Sequence, residues 1–306
     1  MSHDIVHKVN KAFKEIDSRW IQRDRKLNTL NIFSAMHQSF VRKRGISHVL
    51  EEMCDVSATA LSKARVKIPD GVFADVNRQL VRTCGPRVLA VDGSKVHVNP
   101  AFAKEGFKTR TNACPMLKRP ALHPLAMLNA VVDVHTKCCV AHSLTSHFNE
   151  RKGISDLLAE LTKGDILVFD RGYYSAELLR AILHAKMHAV FRLRVNAFQG
   201  CRRFFESNRV EMKVPIVGAG LMRLVKYRID GRWYACLTTL PQDEFDRGKI
   251  QKLYGDRWRV EEFFKRLKSS LFLETSHSRT TRGFRQEVEM RILVDTITLQ
   301  SQTKLN

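Results

Sequence analysis

The chain has 306 residues, of which 44% are hydrophobic, so it can bury a sizeable core. At ~100 to 200 residues per domain, this length predicts about two domains. Lysine and arginine number 52 against 31 aspartate and glutamate, which gives a net charge of +21 and argues for a polyanionic partner. Because the basic residues are spread along the chain instead of forming one polybasic tail, a nucleic acid is a better partner than a membrane surface.

The N-terminal sequence lacks the apolar core of a signal peptide, and no run of about 18 uncharged apolar residues could span a membrane. We therefore expect a cytoplasmic protein. Seven cysteines, with no CxxC pair, fit reduced thiols better than a disulfide framework. One cluster of metal-ligating residue types consists of His135, Cys138, Cys139 and His142. Adjacent strand residues point to opposite faces, so this cluster is better explained by small buried residues beside a hairpin turn than by zinc.

Residues 1–82 predict a helical domain, which we interpret as a DNA-binding domain. Apolar residues recur there at three-to-four spacing, typical of amphipathic helices. The basic run Arg42-Lys43-Arg44 and the trio Lys63, Arg65 and Lys67 fit either a DNA contact or a solvated charged face. The predicted helices are Val6–Trp20, Leu27–Arg42 and Ile46–Ala64.

Residues 83–195 alternate between strands and helices. Two apolar runs each end on an aspartate, at Asp92 and at Asp170, and read as buried strands. Strands over 125–134 and 138–144 predict a hairpin, followed by helices over 154–161 and 175–186 and a strand over 189–195. This order predicts an α/β fold with a ribonuclease-H-like mixed sheet flanked by helices, of which residues 83–195 form the first part.

Residues 196–245 interrupt that alternation with three strand patterns, at 209–216, 221–229 and 232–240. The last two are joined by Asp230-Gly231, a strong signal for a type I′ hairpin turn. We interpret this segment as a β-strand-rich insertion. Residues 246–306 then predict the second part of the catalytic core, with one helix through about Leu271 and a final helix over 285–300.

The helix after the insertion carries a distinctive set of polar residues. At ~100° per residue, Tyr254, Arg257, Glu261 and Lys268 fall within about a 60° stripe, whereas Glu262 is rotated by about 100° from Glu261. Two strand-end aspartates and one helical glutamate supply the hard oxygen ligands that suit two Mg²⁺ or Mn²⁺ ions in phosphoryl transfer. Taken singly, each carboxylate is as well explained by a turn cap or a solvated ion pair.

This set of residues resembles the DDE transposases of the insertion-sequence-four family. The spacing Tyr-x-x-Arg-x-x-x-Glu-x-x-x-x-x-x-Lys is met by Tyr254, Arg257, Glu261 and Lys268. The surroundings of the aspartates, Val-Asp-Gly-Ser at 91–94 and Phe-Asp-Arg-Gly-Tyr at 169–173, are similar to those of the family. The resemblance covers about residues 86–300.

The resemblance implies metal-dependent nicking at the element's ends, a DNA hairpin and strand transfer into target DNA. It implies that Asp92, Asp170 and Glu261 are the catalytic and metal-binding residues. The phosphate backbone would be held by Tyr254, Arg257 and Lys268, and a flipped base by Trp233, whereas Trp258 is expected to pack. The implied partners are double-stranded terminal inverted repeats and target DNA, bound by a homodimer at the bacterial nucleoid.

Two other functions remain open from the sequence. A ribonuclease-H-like DNA nuclease would carry the same core and cut without strand transfer. An inactive, transposase-derived DNA-binding protein would keep the fold. This alternative is suggested by the short C-terminal region, since only 38 residues follow Lys268. Strand-transfer products would distinguish a transposase from the nuclease. Metal-dependent activity would distinguish it from the inactive DNA-binding protein.

Overall fold

The computed structural model describes residues 3–21, 26–81, 85–108, 123–275 and 278–303. Short 3₁₀ turns also occur, at Pro100–Glu105, Leu158–Glu160 and Leu273–Thr275. The α-helices are α1 (His3–Trp20), α2 (Thr29–Arg42), α3 (Ile46–Cys54), α4 (Ala58–Lys67), α5 (Val72–Val81), α6 (Glu150–Ser155), α7 (Ala176–His184), α8 (Gln199–Glu206), α9 (Arg247–Asp256), α10 (Arg259–Lys265) and α11 (Thr281–Thr303). The strands are β1 (Val88–His97), β2 (Leu125–Asp133), β3 (Cys139–Thr145), β4 (Ile166–Phe169), β5 (His188–Arg192), β6 (Glu211–Ile216), β7 (Gly220–Ile229) and β8 (Arg232–Thr238).

The chain divides into two compact units. The first is helical and comprises Met1–Arg82, Lys95–Ala126 and Phe264–Asn306. Helices α1 to α5 bury a common apolar core, in which the rings of Phe13, Phe33 and Phe73 pack against one another at centroid distances of 5.2 to 6.2 Å. Helix α11 contributes Leu293 and neighbouring apolar residues to the same core. The final helix, which we expected in the catalytic core, therefore packs with the N-terminal helices.

The N-terminal helices differ from the sequence prediction in one important place. The single helix expected over Ile46–Ala64 is broken into α3 and α4, because Asp55 adopts a left-handed conformation with φ of 50°. Ser57 then caps α4, its hydroxyl accepting the backbone N–H of Ala60. Helix α5 was not predicted.

The second unit, Thr83–Ser94 and Met127–Phe263, contains most of an eight-stranded sheet. The strand order is β3-β2-β1-β4-β5-β8-β7-β6. Strands β1, β4 and β5 are parallel neighbours, and the predicted hairpin of β2 and β3 is antiparallel. Strands β6 to β8 match the three strands expected over 196–245. They extend the same sheet, because β8 pairs antiparallel with β5.

Several local features of this unit depart from the sequence prediction. The β7–β8 turn has the two positive φ angles of a type I′ turn, 47° at Asp230 and 78° at Gly231, as expected. In contrast, β1 does not end at Asp92 but continues to His97. The helix expected over 154–161 is replaced by the short α6 and a 3₁₀ turn, and helix α8 was not predicted.

Two further features concern the cysteine cluster and whether a helix could span a membrane. Cys138 and Cys139 are buried where β2 turns into β3, as the sequence suggested for small residues at a hairpin. Across the part of the chain that the structure describes, no helix is long and apolar enough to cross a membrane.

Candidate active site

Asp92 and Asp170 are brought together by the register of two parallel strands. Strands β1 and β4 pair residue by residue from Val88 with Ile166 to Val91 with Phe169. The next residue on each chain is an aspartate. In-register residues of neighbouring strands lie side by side and point to the same face. Two carboxylates that are 78 positions apart in the sequence therefore lie side by side at the end of the parallel pairing.

Asp170 is held by a tyrosine and an arginine. The hydroxyl of Tyr254 on α9 donates a hydrogen bond of 2.9 Å to Asp170 Oδ1. That hydroxyl accepts a 2.9 Å hydrogen bond from Arg192 Nη1, which lies 3.5 Å from the same carboxylate oxygen. Burial opposes ionisation of Asp170, but the backbone N–H of Arg171, the Tyr254 hydroxyl and the nearby guanidiniums outweigh it, so its pKa is lowered. These contacts therefore favour the ionised form of Asp170.

Arg257 connects the other two carboxylates. Its Nη1 lies 3.4 Å from Asp92 Oδ2, and its Nη2 lies 2.5 Å from Glu261 Oε1. The side chain is only 11% exposed. Although burial opposes its charge, the hydrogen bond to Glu261 and the charges of Asp170 and Asp92 raise the pKa of Arg257. Among the described residues, its Nε has no hydrogen-bond partner.

Asp92 differs from Asp170 in its protonation. Burial raises the pKa of Asp92 to about 6, a rise to which Glu150 and Asp170 add and which a backbone hydrogen bond from Gly93 and the charge of Arg257 partly oppose. The hydroxyl of Tyr173 lies 3.5 Å from Asp92 Oδ1 and also hydrogen-bonds Glu150. Asp92 therefore keeps a substantial protonated fraction near pH 6.

The segment that carries Tyr254, Arg257 and Glu261 is not one regular helix. Helix α9 ends at Asp256, and backbone hydrogen bonds to the residue three positions earlier close the turn before α10. The segment Arg266–Ser270 is π-helical. The uniform stripe expected for an α-helix therefore does not extend to Lys268, since the rotation per residue changes at both places. Tyr254 reaches Asp170, and Arg257 contacts Asp92 and Glu261.

Lys268 belongs to the helical unit. Its ammonium donates a 2.8 Å hydrogen bond to the backbone carbonyl of Lys95 and lies 3.8 Å from Glu274. About one third of its side chain is accessible.

Trp233 and Trp258 are both about half exposed, and each ring is contacted by basic side chains. Trp233 on β8 is 48% exposed, with the ammonium of Lys226 and the guanidinium of Arg228 near its ring at 5.1 and 5.9 Å. Trp258, expected to pack, is 46% exposed and covered in part by Arg259 at 4.6 Å. Both rings remain accessible to a partner.

The donor set suits a divalent metal in kind. Carboxylate oxygens are the ligands that Mg²⁺ and Mn²⁺ prefer. Within the described ranges, no three His, Cys, Asp or Glu groups converge closely enough to hold an ion as they stand. Arg257 lies between Asp92 and Glu261, so the guanidinium would have to move before both oxygens could share an ion.

Three neighbours of the carboxylates were not singled out from the sequence. Glu150 follows the helix cap Asn149 at the start of α6, and a Cβ on Gly93 would lie 3.1 Å from its Cγ. Tyr173 and Arg192 come from the loop after β4 and from the end of β5. Tyr173 lies within the motif at 169–173, so the sequence could have identified it as a neighbour of the site. Nothing in the local sequence around Glu150 or Arg192 indicates that they lie there.

Comparisons with known proteins agree with this geometry. Residues 83–295 match the family described as transposase DDE domain. Among solved structures, the chain is similar to the piggyBac transposase in a synaptic complex with hairpin DNA, with 12% identity and a TM-score of 0.55 over 99% of this chain and 73% of that one. That likeness shows the fold, which is ribonuclease-H-like as predicted. No curated protein matches the chain significantly. Since the matched region contains Asp92, Asp170 and Glu261 and spans more than half of its length, the chain belongs to the transposase DDE domain family.

Proposed function

We propose that the chain is a DNA transposase that cleaves at the ends of a mobile element and joins them to target DNA. Asp92, Asp170 and Glu261 are its catalytic carboxylates. The observation that carries this proposal is the pair of in-register aspartates joined to Glu261 through Arg257. The spacing from Tyr254 to Lys268, similar to that of the insertion-sequence-four family, supports cut-and-paste transposition.

The three carboxylates are proposed to hold two Mg²⁺ or Mn²⁺ ions. When bound, such ions activate the attacking oxygen and stabilise the leaving oxygen of an in-line phosphoryl displacement. Tyr254 and Arg192 fix the orientation of Asp170 before a ligand arrives. Arg257 contacts both Asp92 and Glu261. If cations were bound to these carboxylates, its guanidinium would be free to hold a DNA phosphate, since a guanidinium binds phosphate well.

The DNA contacts follow from the same assignment. Tyr254, Arg257 and Lys268 hold the backbone of the element end, and the exposed ring of Trp233 supports an unpaired base. Residues 1–82 bind the end sequence, residues 83–195 and 246–306 carry the three catalytic carboxylates, and residues 196–245 form the β-strand-rich insertion. Two copies pair on the DNA, at the nucleoid in the bacterial cytoplasm. The solved piggyBac complex contains hairpin DNA, and we propose a hairpin intermediate here as well.

A cleavage and strand-transfer assay tests the proposal. The purified protein is incubated with Mg²⁺ or Mn²⁺, a plasmid target and a duplex carrying the inverted repeat found beside its gene. We expect nicks at the repeat end, a hairpin and joined products, all lost in Asp92→Asn. Cleavage independent of the repeat, or unaffected by Asp92→Asn, would contradict the assignment. Cleavage without joining would indicate a nuclease.

A further inference from the structure

The break between α3 and α4 leaves two helices joined by a short turn. Three residues, Asp55, Val56 and Ser57, connect the two helices. The left-handed Asp55 donates its N–H to the carbonyl of Glu51 and turns the chain, and Ser57 starts the next helix by capping it. A connection of three to four residues with one left-handed position is typical of the helix-turn-helix, whose second helix enters the DNA major groove.

Both helices are fixed by the same core. Val49 and Leu50 of α3 are fully buried, and Leu61 and Ala64 of α4 are 3% and 8% exposed. Val56 of the turn packs against the same cluster. The relative placement of the two helices is therefore set by apolar packing at several positions, as a rigid reading element requires.

The opposite face of α4 is open and polar. Its exposed residues recur at positions i, i+3, i+4, i+7 and i+8, which places them on one stripe of the helix. Val66 is 63% exposed. The stripe, which we call the α4 face, consists of Thr59, Ser62, Lys63, Val66 and Lys67. Hydroxyl, ammonium and methyl groups of this kind contact base edges and thymine methyls in the major groove.

Charge selects DNA as the occupant of the α4 face. Helix α4 contains three basic residues and no acidic one. Arg65 turns away from the face, with its guanidinium donating to the carbonyl of Gly283 and pairing with Glu287. On α3, Glu52 is neutralised by Arg42 and Arg44, each at 2.9 Å. In the turn, Asp55 is likewise paired, with Lys26 at 3.4 Å, whereas Glu51 of α3 is exposed.

A groove beside α4 adds a place for the backbone of the same DNA. It has a volume of about 320 Å³ and is rimmed by Lys26, Lys63 and Lys67, with Trp20 and Leu27 among its lining residues. Lysine ammonium groups are effective point charges for phosphates. At 1.5 Å per residue the ten residues of α4 span about 15 Å, enough to lie across a major groove about 12 Å wide.

We propose that α3 and α4 form a helix-turn-helix that reads the sequence of the element end through the α4 face. This inference rests on the proposed function for the identity of the DNA, although the reading element itself needs no catalysis. Thr59, Ser62 and Lys63, on the first turns of α4, contact bases. Lys67 contacts a phosphate.

Equilibrium binding of the full chain without metal tests this inference apart from catalysis. Fluorescence anisotropy would compare a duplex carrying the terminal repeat with a shuffled duplex, for the wild type and the triple variant Thr59→Ala/Ser62→Ala/Lys63→Ala. We expect the preference for the repeat to fall by ~10-fold or more, since base contacts carry the discrimination. Lys67→Ala should weaken binding to both duplexes and reduce the slope of log K against log salt by about 1.

The matched control is Lys163→Ala, which removes an exposed lysine outside residues 1–82, and circular dichroism checks that each variant is folded. An unchanged repeat preference in the folded triple variant would overturn the inference, whether or not the protein transposes. Repeat-specific binding that depends on the α4 face, in a protein without strand transfer, would uphold the inference and contradict the proposed function instead.

Discussion

The hydroxyl of Tyr254 donates a 2.9 Å hydrogen bond to Asp170, although 84 positions separate the two residues. Replacing the hydroxyl in Tyr254→Phe should leave Asp170 less firmly oriented and remove one interaction that lowers its pKa. We expect strand cleavage to fall by ~10- to 100-fold, the usual cost of losing a group that orients a metal ligand. Initial rates of end cleavage at saturating Mn²⁺ measure the effect.

Tyr174→Phe provides the control for that substitution. Its ring packs against Phe191 and Phe198 in the same unit. Equal losses in the two variants would show that the Tyr254 hydroxyl has no special role. Both variants should change the free energy of unfolding by only ~1 kcal/mol.

Arg257 is expected to compete with metal for the carboxylates, because its guanidinium contacts both Asp92 and Glu261. Without DNA, Arg257→Ala should therefore bind Mn²⁺ at least ~3-fold more tightly than the wild type, since a nearby positive charge is removed. Calorimetric titration measures this affinity. Arg259→Ala, which removes a guanidinium paired with Glu262 instead, should bind as the wild type does. Weaker Mn²⁺ binding by Arg257→Ala would mean that Arg257 supports the site and does not block it.

Asp92 makes stability depend on pH. Its pKa is raised to about 6 in the folded protein, from an unfolded value of 3.8. The folded state therefore binds the proton more tightly, and the stability contributed by that proton is complete below pH 4 and is lost as the pH rises through 6. Without metal, the free energy of unfolding should fall between pH 4 and 7 by ~2–3 kcal/mol more in the wild type than in Asp92→Asn. Parallel pH profiles from urea unfolding would show that the raised pKa is wrong.

Gly153 on α6 packs closely against the side chain of Asn129. A Cβ at this position would overlap the side-chain amide of the buried Asn129, which bonds to Ser143 at 3.2 Å. Gly153→Ala should therefore destabilise the fold by ~1–3 kcal/mol. Gly255→Ala on α9 meets no atom within 4 Å, so it should be neutral or stabilising by up to ~1 kcal/mol. Denaturant unfolding of both variants measures the difference, and equal stabilities would contradict the packing argument.

The sequence predicted the sheet and most residues of the candidate site because the signals were local. An apolar run followed by an aspartate marks the ends of the parallel pairing at Asp92 and Asp170, and Asp230-Gly231 marks the hairpin turn. The break at Asp55 was missed because a non-glycine residue takes the left-handed conformation there. The turn is held in place because α3 and α4 on either side of it pack into the same apolar core, and a short stretch of sequence does not show that packing.

The parts of the site that were missed are long-range. Arg192 and Glu150 reach the carboxylates only because strand pairing and the turn before α6 bring distant segments together. The helical stripe through Lys268 was wrong because the chain leaves α-helical geometry at Arg257 and again at Arg266. A uniform rotation per residue cannot represent such turns.

The most direct test of the account compares two adjacent glutamates. Glu261 is bridged to Asp92 through Arg257, whereas Glu262 pairs with Arg259. Cleavage and strand transfer at the terminal repeat should be abolished in Glu261→Gln and retained in Glu262→Gln, with both proteins folded and binding the repeat equally. Strand transfer by Glu261→Gln at the wild-type rate would contradict the assignment of the three catalytic carboxylates.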